Sequence, residues 1–150
     1  MALRRPVPSL SSYDILLVED KPSAARLLEE AVKEAGLVGR LYWVRDGEEA
    51  LAFLRREGRF QKAPRPVFVL LDLHLPRRTG LETLAAIKQD RHLRALPVFV
   101  LSTSARPEDI AKAYDLQANC YLRKPADLDR LVELLRQIET FWLSTALLPV

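Results

Sequence analysis

Short runs of consecutive apolar residues alternate along the chain with segments whose apolar residues recur at intervals of three and four. The runs at 15–18, 41–44, 67–71, 98–101 and 120–122 read as strands. The run at 67–71, Val67, Phe68, Val69, Leu70 and Leu71, is rich in β-branched and aromatic side chains and follows Pro66. An unbroken apolar strand of this kind predicts burial on both faces. Pro22 opens a predicted helix in which Leu27, Leu28, Ala31, Val32 and Ala35 form one stripe and Gly36 marks the end. A second helix follows Asp46 and Gly47 and carries Ala50, Leu51, Phe53 and Leu54. A polar loop from 57 to 66 leads into the 67–71 strand, and a helix with Leu84 and Ile87 on one face follows Gly80. Pro97 opens the fourth strand, Pro107 the helix through Ile110, Ala111 and Tyr114, and the last helix runs from about Ala126 to beyond Phe141.

Strand and helix alternate five times, which predicts a doubly wound α/β fold, a parallel sheet with helices on both faces. Periodicity alone does not choose the order of the strands. It does say where ligands belong, because in an open parallel sheet they bind beyond the carboxyl ends of the strands. The first strand ends at Glu19 and Asp20, the third at Asp72, the fourth at Ser102, and the fifth just before Lys124. The fold would gather these side chains at one edge.

Composition narrows the class. The 150 residues fit one domain, with 49% hydrophobic and 29% charged residues, as in an ordinary globular protein. The net charge of +3 is mild. A local basic group, Arg55, Arg56, Arg59, Lys62 and Arg65, has only Phe60 interleaved and reads as a solvated loop rather than a nucleic-acid site. Cys120 is the single cysteine, so an intrachain disulfide is excluded and a reducing cytoplasm fits; the residue reads as core. No run is long enough to span a membrane, and residues 1–12 read as a loose arm rather than a signal peptide.

Carboxylates brought together repel unless a positive charge sits among them. Oxygen-only ligands at an open site suit Mg²⁺, which keeps several waters and prefers a phosphate oxygen as partner. Lys124 adds a cation suited to phosphate, and Ser102 a neutral donor. This set can transfer a phosphoryl group by positioning and charge stabilisation. In the absence of a serine–histidine or cysteine–histidine arrangement, the carboxylate of Asp72 is the best nucleophile.

From about Tyr13 to Leu143 the sequence resembles the receiver domain of two-component response regulators. The resemblance rests on Val18-Glu19-Asp20, on Leu71-Asp72-Leu73-His74-Leu75-Pro76 with Gly80, on Pro97 to Ser102, and on Tyr121-Leu122-Arg123-Lys124-Pro125. It implies a flavodoxin-like fold of five strands in the order 2-1-3-4-5 with five helices. It also implies that Asp72 accepts a phosphoryl group from a phosphohistidine on a sensor histidine kinase. Asp20 would ligate Mg²⁺ directly, Glu19 through water, and the His74 backbone carbonyl would be another ligand beside Asp72. Lys124 would reach the phosphoryl oxygens, and its bond to Pro125 is a candidate cis peptide. Ser102 matches the hydroxyl that bonds the new phosphoryl group, with Thr103 a rival, and Tyr121 matches the aromatic switch residue. Plain core packing of Tyr121 stays open.

Two departures from the family pattern suggest a long-lived phosphorylated form: His74 stands where a smaller polar residue is common, and Thr103 replaces the usual Ala or Gly. The tail, including Thr140, Phe141, Trp142 and Leu143, is similar to single-domain receivers that partner bacterial phytochrome kinases. The receiver is expected at 13–143 and an apolar tail at 144–150. No effector or DNA-binding domain is expected after Lys124. In the last helix Leu128, Leu131, Val132, Leu135, Ile138 and Trp142 form one stripe, flanked by Leu134 and Phe141 on one side and Leu143 on the other. So wide a face, with the apolar 146–150 beyond it, points either to packing on its own domain or to a homodimer through helix and tail. Two rival readings remain: an aspartyl-phosphate phosphatase or mutase, which commonly has a second Asp where His74 stands, and a receiver-like binding module that is not phosphorylated.

Overall fold

The structure, a computed structural model, describes residues 13–37 and 39–149; the arm expected at 1–12 lies outside the described residues. The elements run β1 (Tyr13–Val18), α1 (Pro22–Ala35), β2 (Gly39–Val44), α2 (Gly47–Arg55), β3 (Phe68–Leu71), α3 (Gly80–Gln89), β4 (Val98–Ser102), α4 (Pro107–Asp115), β5 (Cys120–Arg123) and α5 (Leu128–Ile138). A 3₁₀ turn, Gly58–Phe60, interrupts the polar loop before β3. The strands pair in parallel in the order β2-β1-β3-β4-β5.

Alternation along the strands sorts the core into two layers. Leu16, Val18, Val69, Leu71 and Val100 meet the apolar faces of α2 and α3. Ile15, Leu17, Phe68, Leu70, Phe99 and Leu101 meet α1 and α5 on the other side. β3 is buried throughout, as its unbroken apolar run predicts.

Local signals set the helix ends. Gly36 stops α1 in the left-handed region at φ 73°, where a side chain would be strained. Asp46 caps α2 by accepting the Glu49 N–H at 2.8 Å, and Thr79 and Glu82 form a reciprocal capping box on α3. At Gly80 the constraint is room: a Cβ there would lie 2.2 Å from the Asp72 carbonyl oxygen. The first turn of α3 is thereby seated directly on the backbone of the Asp72 loop.

Two expectations are corrected. The last helix begins at Leu128 with Asp127 as its cap, not at Ala126, and its α geometry stops at Ile138. It continues as a π-helical segment, Glu139–Thr145. The wider π turn rotates the face, so Leu143, expected at the flank, is buried, while Leu128 and Trp142 are half-buried. The Tyr13 hydroxyl donates to the Leu143 carbonyl at 3.0 Å, and the Trp142 ring stands 4.7 Å from that of Phe99. The second correction concerns Lys124–Pro125: no cis peptide bond occurs among the described residues. The bond takes the trans form, which X–Pro bonds favour intrinsically by about 0.5–1 kcal/mol.

Candidate functional site

The centre of the sheet ends in acids because β1 and β3 lie side by side. Val18 pairs with Leu71, so Glu19, Asp20 and Asp72 leave adjacent strands at the same level. The Asp72 N–H donates to the Val18 carbonyl at 3.1 Å, and the Glu19 N–H to the Val44 carbonyl at 3.0 Å. One carboxylate oxygen from each of Glu19, Asp20 and Asp72 falls within 4.8 Å of the others.

The three acids have different surroundings. Glu19 is only 2% exposed; it pairs with the Lys124 ammonium and accepts the Lys21 N–H at 3.2 Å. Burial would raise its pKa, but the Lys124 hydrogen bond and charge outweigh that and hold it below the ordinary carboxylate value. Asp72 is pushed up to about 6, first by burial and then by the charge of Glu19, although its Oδ1 accepts the His74 N–H at 3.2 Å. Asp20 Oδ1 is buried and without a hydrogen-bond partner. A buried oxygen that no donor satisfies is costly unless something positive meets it. Two neighbouring carboxylates supply the rest of a hard, oxygen-only donor set, so these residues fit a divalent cation of the Mg²⁺ or Mn²⁺ type.

Lys124 and Ser102 complete the edge. The Lys124 N–H donates to the Ser102 carbonyl at 2.7 Å, which aligns the ends of β4 and β5. Ser102 is fully buried, and its Oγ accepts the Ser104 N–H at 3.1 Å. Thr103 is exposed, which separates the two rival hydroxyls by environment. The His74 side chain is exposed as well. Tyr121 is half-buried and donates its hydroxyl to the Ser104 carbonyl at 2.9 Å. Cys120 packs against the core on the α1 side, and burial pushes its thiol up to about 11, away from the thiolate form.

Three contributors escaped the sequence reading. The Trp43 indole N–H donates to the Glu19 carbonyl at 2.6 Å. Ser104 connects Ser102 to α4, its Oγ donating to Asp109 at 2.5 Å. The Tyr114 hydroxyl accepts the Tyr121 N–H at 3.0 Å. A tryptophan in a strand reads as core, and only the bonds to Ser104 distinguish it from any loop serine.

The chain resembles known proteins over most of its length. The model of the response regulator receiver domain matches residues 15–136. Response regulator Rcp1 of Synechocystis sp. is 44% identical over 135 residues, covering 90% of this chain and 92% of that protein. The crystal structure of the Mn(2+)-bound form of Rcp1 superposes with a TM-score of 0.83 at 43% identity, covering 93% of this chain and all of that one. The phosphorylated cyanobacterial phytochrome response regulator RcpA gives 0.86 at 48% identity, covering 92% of this chain and 99% of that one. No helix among the described residues is long and apolar enough to cross a membrane. With its strand order, its acidic edge and a family match spanning the sheet from β1 into α5, the chain belongs to the response regulator receiver domain family.

Proposed function

We propose that Asp72 accepts a phosphoryl group from a phosphohistidine of a sensor histidine kinase, in a Mg²⁺-dependent reaction, and that the phosphorylated chain signals by a change of conformation. The observation that carries this is the buried, unsatisfied Asp20 Oδ1 beside Asp72 and the Glu19–Lys124 pair. Receiver domains bind a divalent metal; here Asp20, Asp72 and the His74 backbone carbonyl would hold Mg²⁺, with Glu19 acting through water. When bound, that ion supplies positive charge against the phosphoryl oxygens.

The chain's own residues do the remainder. An Asp72 carboxylate oxygen attacks phosphorus as the P–N bond to the kinase imidazole breaks, and the electron pair stays on the imidazole nitrogen. Lys124, already at the edge through its pair with Glu19, neutralises charge on the transferred group. Ser102 donates its hydroxyl to a phosphoryl oxygen, and Tyr121, bonded to the neighbouring Ser104, carries the change outward. Chemistry is confined to this self-catalysed transfer and the later loss of phosphate to water. The phosphatase reading is disfavoured by the exposed His74 at the place of a second acid.

The kinase partner is of the bacterial phytochrome type, supported by the likeness to RcpA, a phytochrome response regulator. The site belongs in the cytoplasm, where such kinases present phosphohistidine, and the chain forms a homodimer through α5 and the tail. The decisive test adds a small-molecule phosphodonor with Mg²⁺ and weighs the intact protein. One labile phosphoryl group, lost in Asp72→Asn, is expected. Continuous turnover would make it a phosphatase, and an unchanged mass a binding module.

A further inference from the structure

The acidic pair sits where strand pairing stops. Val18 and Val44 are the last partners of β1 and β2. The Glu19 N–H still finds the Val44 carbonyl, one step past the ladder. In a continued parallel ladder the Glu19 carbonyl would accept the N–H of Asp46. Asp46 has turned away and caps α2 with its side chain. Glu19 is among the most buried residues of the chain, so its carbonyl needs another donor. The Trp43 indole takes that place at 2.6 Å, reaching from one strand position before Val44.

The indole is itself held. Its ring packs at the margin of the α1-side core, and the Arg45 guanidinium lies over it at 4.8 Å from the ring centre. An N–H fixed on both counts is a rigid donor. With its N–H tied to Val44 and its carbonyl tied to Trp43, the Glu19 backbone is anchored on β2 through the peptide groups on both sides of its Cα. The directions of the Glu19 and Asp20 side chains follow from that backbone.

We infer that Trp43 is a positioning residue for the cation site: its indole N–H replaces the missing rung of the β1–β2 ladder and fixes the backbone from which Glu19 and Asp20 present their carboxylates. The inference rests on the divalent-cation reading of this edge. It makes the indole a reporter as well, because a cation drawn between Asp20 and Asp72 pulls on the peptide that Trp43 holds. Trp142, the other tryptophan, stacks on Phe99 in the layer under α5.

Two variants test this. Trp43→Phe keeps a ring in the core and deletes the donor. Its Mg²⁺ dissociation constant, measured by calorimetry, should rise about tenfold, the scale on which groups that orient metal ligands act. Its melting temperature without metal should fall by no more than about ten degrees, the effect of one unpaired buried carbonyl, with the cooperative transition kept. Affinity within twofold of the parent overturns the inference, and so does an affinity loss matched by a collapse of the metal-free fold. Trp142→Phe leaves Trp43 as the sole indole. Its emission should shift on Mg²⁺ addition with the calorimetric midpoint, and a silent titration overturns the inference even if Trp43→Phe does not fold. Absence of Mg²⁺ binding by the parent would instead overturn the cation site itself, and the inference with it.

Discussion

At the scale of single residues, Asp72 combines nucleophile and liability. Its folded pKa of about 6 lies above the unfolded value of 3.8, so the folded state holds the proton more tightly. The stability linked to this group is fully present below the unfolded value and is lost as pH rises through about 6. A neutral isostere escapes the loss. Metal-free Asp72→Asn should therefore be more stable than the parent at pH 8, by about 1 kcal/mol once solvent screening of this half-buried group is allowed for. The advantage should vanish in denaturant titrations toward pH 4. An equal gain at both pH values would place the cause in packing instead. The same titration bears on chemistry, because phosphodonor labelling needs the carboxylate and should slow as pH falls below about 6 without saturating Mg²⁺. His74 follows Asp72 by two residues, Thr103 follows the last residue of β4, and both are exposed. The family resemblance carries the expectation that each crowds the line along which water attacks. Phosphate loss should quicken in Thr103→Ala and in His74→Asn, by about threefold to tenfold, the equivalent of about 1 kcal/mol in the barrier. Phosphate-release traces unchanged in both would dismiss crowding as the reason for a long-lived phosphorylated form.

At the scale of elements, the site depends on how closely α3 is seated. Gly80 has an ordinary φ, so the demand is spatial: its Cα hydrogens face the Asp72 carbonyl, and its N–H donates to the Leu73 carbonyl at 3.0 Å. Gly80→Ala must push α3 away from the loop that ends in Asp72. It should destabilise by about 2 kcal/mol, as overpacking does, and should slow labelling as well. Thr79→Ala, which removes only the cap, should destabilise by about 1 kcal/mol and leave labelling unchanged. Similar labelling in the two variants would separate the seat of α3 from the site. Strand ends were legible in the chain because the second half of β1 (Ile15 to Val18), all of β3 and β4 up to Leu101 are continuous apolar runs that stop at polar groups. Helix faces were legible for the same reason, since each stripe meets one layer of the core. Periodicity assigns faces but not neighbours, so the strand order came from the resemblance to a family and not from the pattern. The π-helical segment was hidden because residues 138–143 satisfy an α pattern as well. Only contacts to Tyr13 and Phe99 select the wider turn. Trp43 was hidden because its partner is a backbone carbonyl, and no side-chain pattern in sequence marks a backbone acceptor.

At the scale of the whole molecule, the C-terminal segment carries two kinds of apolar side chain. Leu143 is buried and Trp142 stacks on Phe99, so these residues belong to the domain's own core. Phe141 and Leu147 do not: they are 54% and 97% exposed. Part of the wide face expected from the sequence is thus explained by self-packing, and the remainder is the part available to a second copy. The distinction decides which variant is informative. Cutting the chain after Thr140 removes Trp142 and Leu143 with the exposed residues, and should destabilise the monomer by about 3 kcal/mol or more, as loss of large core side chains does. A change of oligomeric state in that truncation would be confounded by unfolding. Replacing Phe141 and Leu147 by serine keeps Trp142, Leu143 and the Tyr13 bond and gives up only the edge-on contact of Phe141 with the Trp142 ring, 5.3 Å between centres. If the homodimer forms through this surface, sedimentation should find the parent dimeric and the double variant monomeric, with melting temperatures within about five degrees at dilutions where both are monomers, the loss of one aromatic edge contact. A parent that sediments as a monomer at all concentrations, or a double variant that stays dimeric, would remove this surface from any assembly. Phosphorylation enters the same experiment. β4, which ends at Ser102, contributes Phe99 and Leu101 to the layer under α5, whereas Tyr121 packs in the opposite layer. Labelling Asp72 should therefore shift the dimer's dissociation constant in the parent and leave the double variant's sedimentation unmoved.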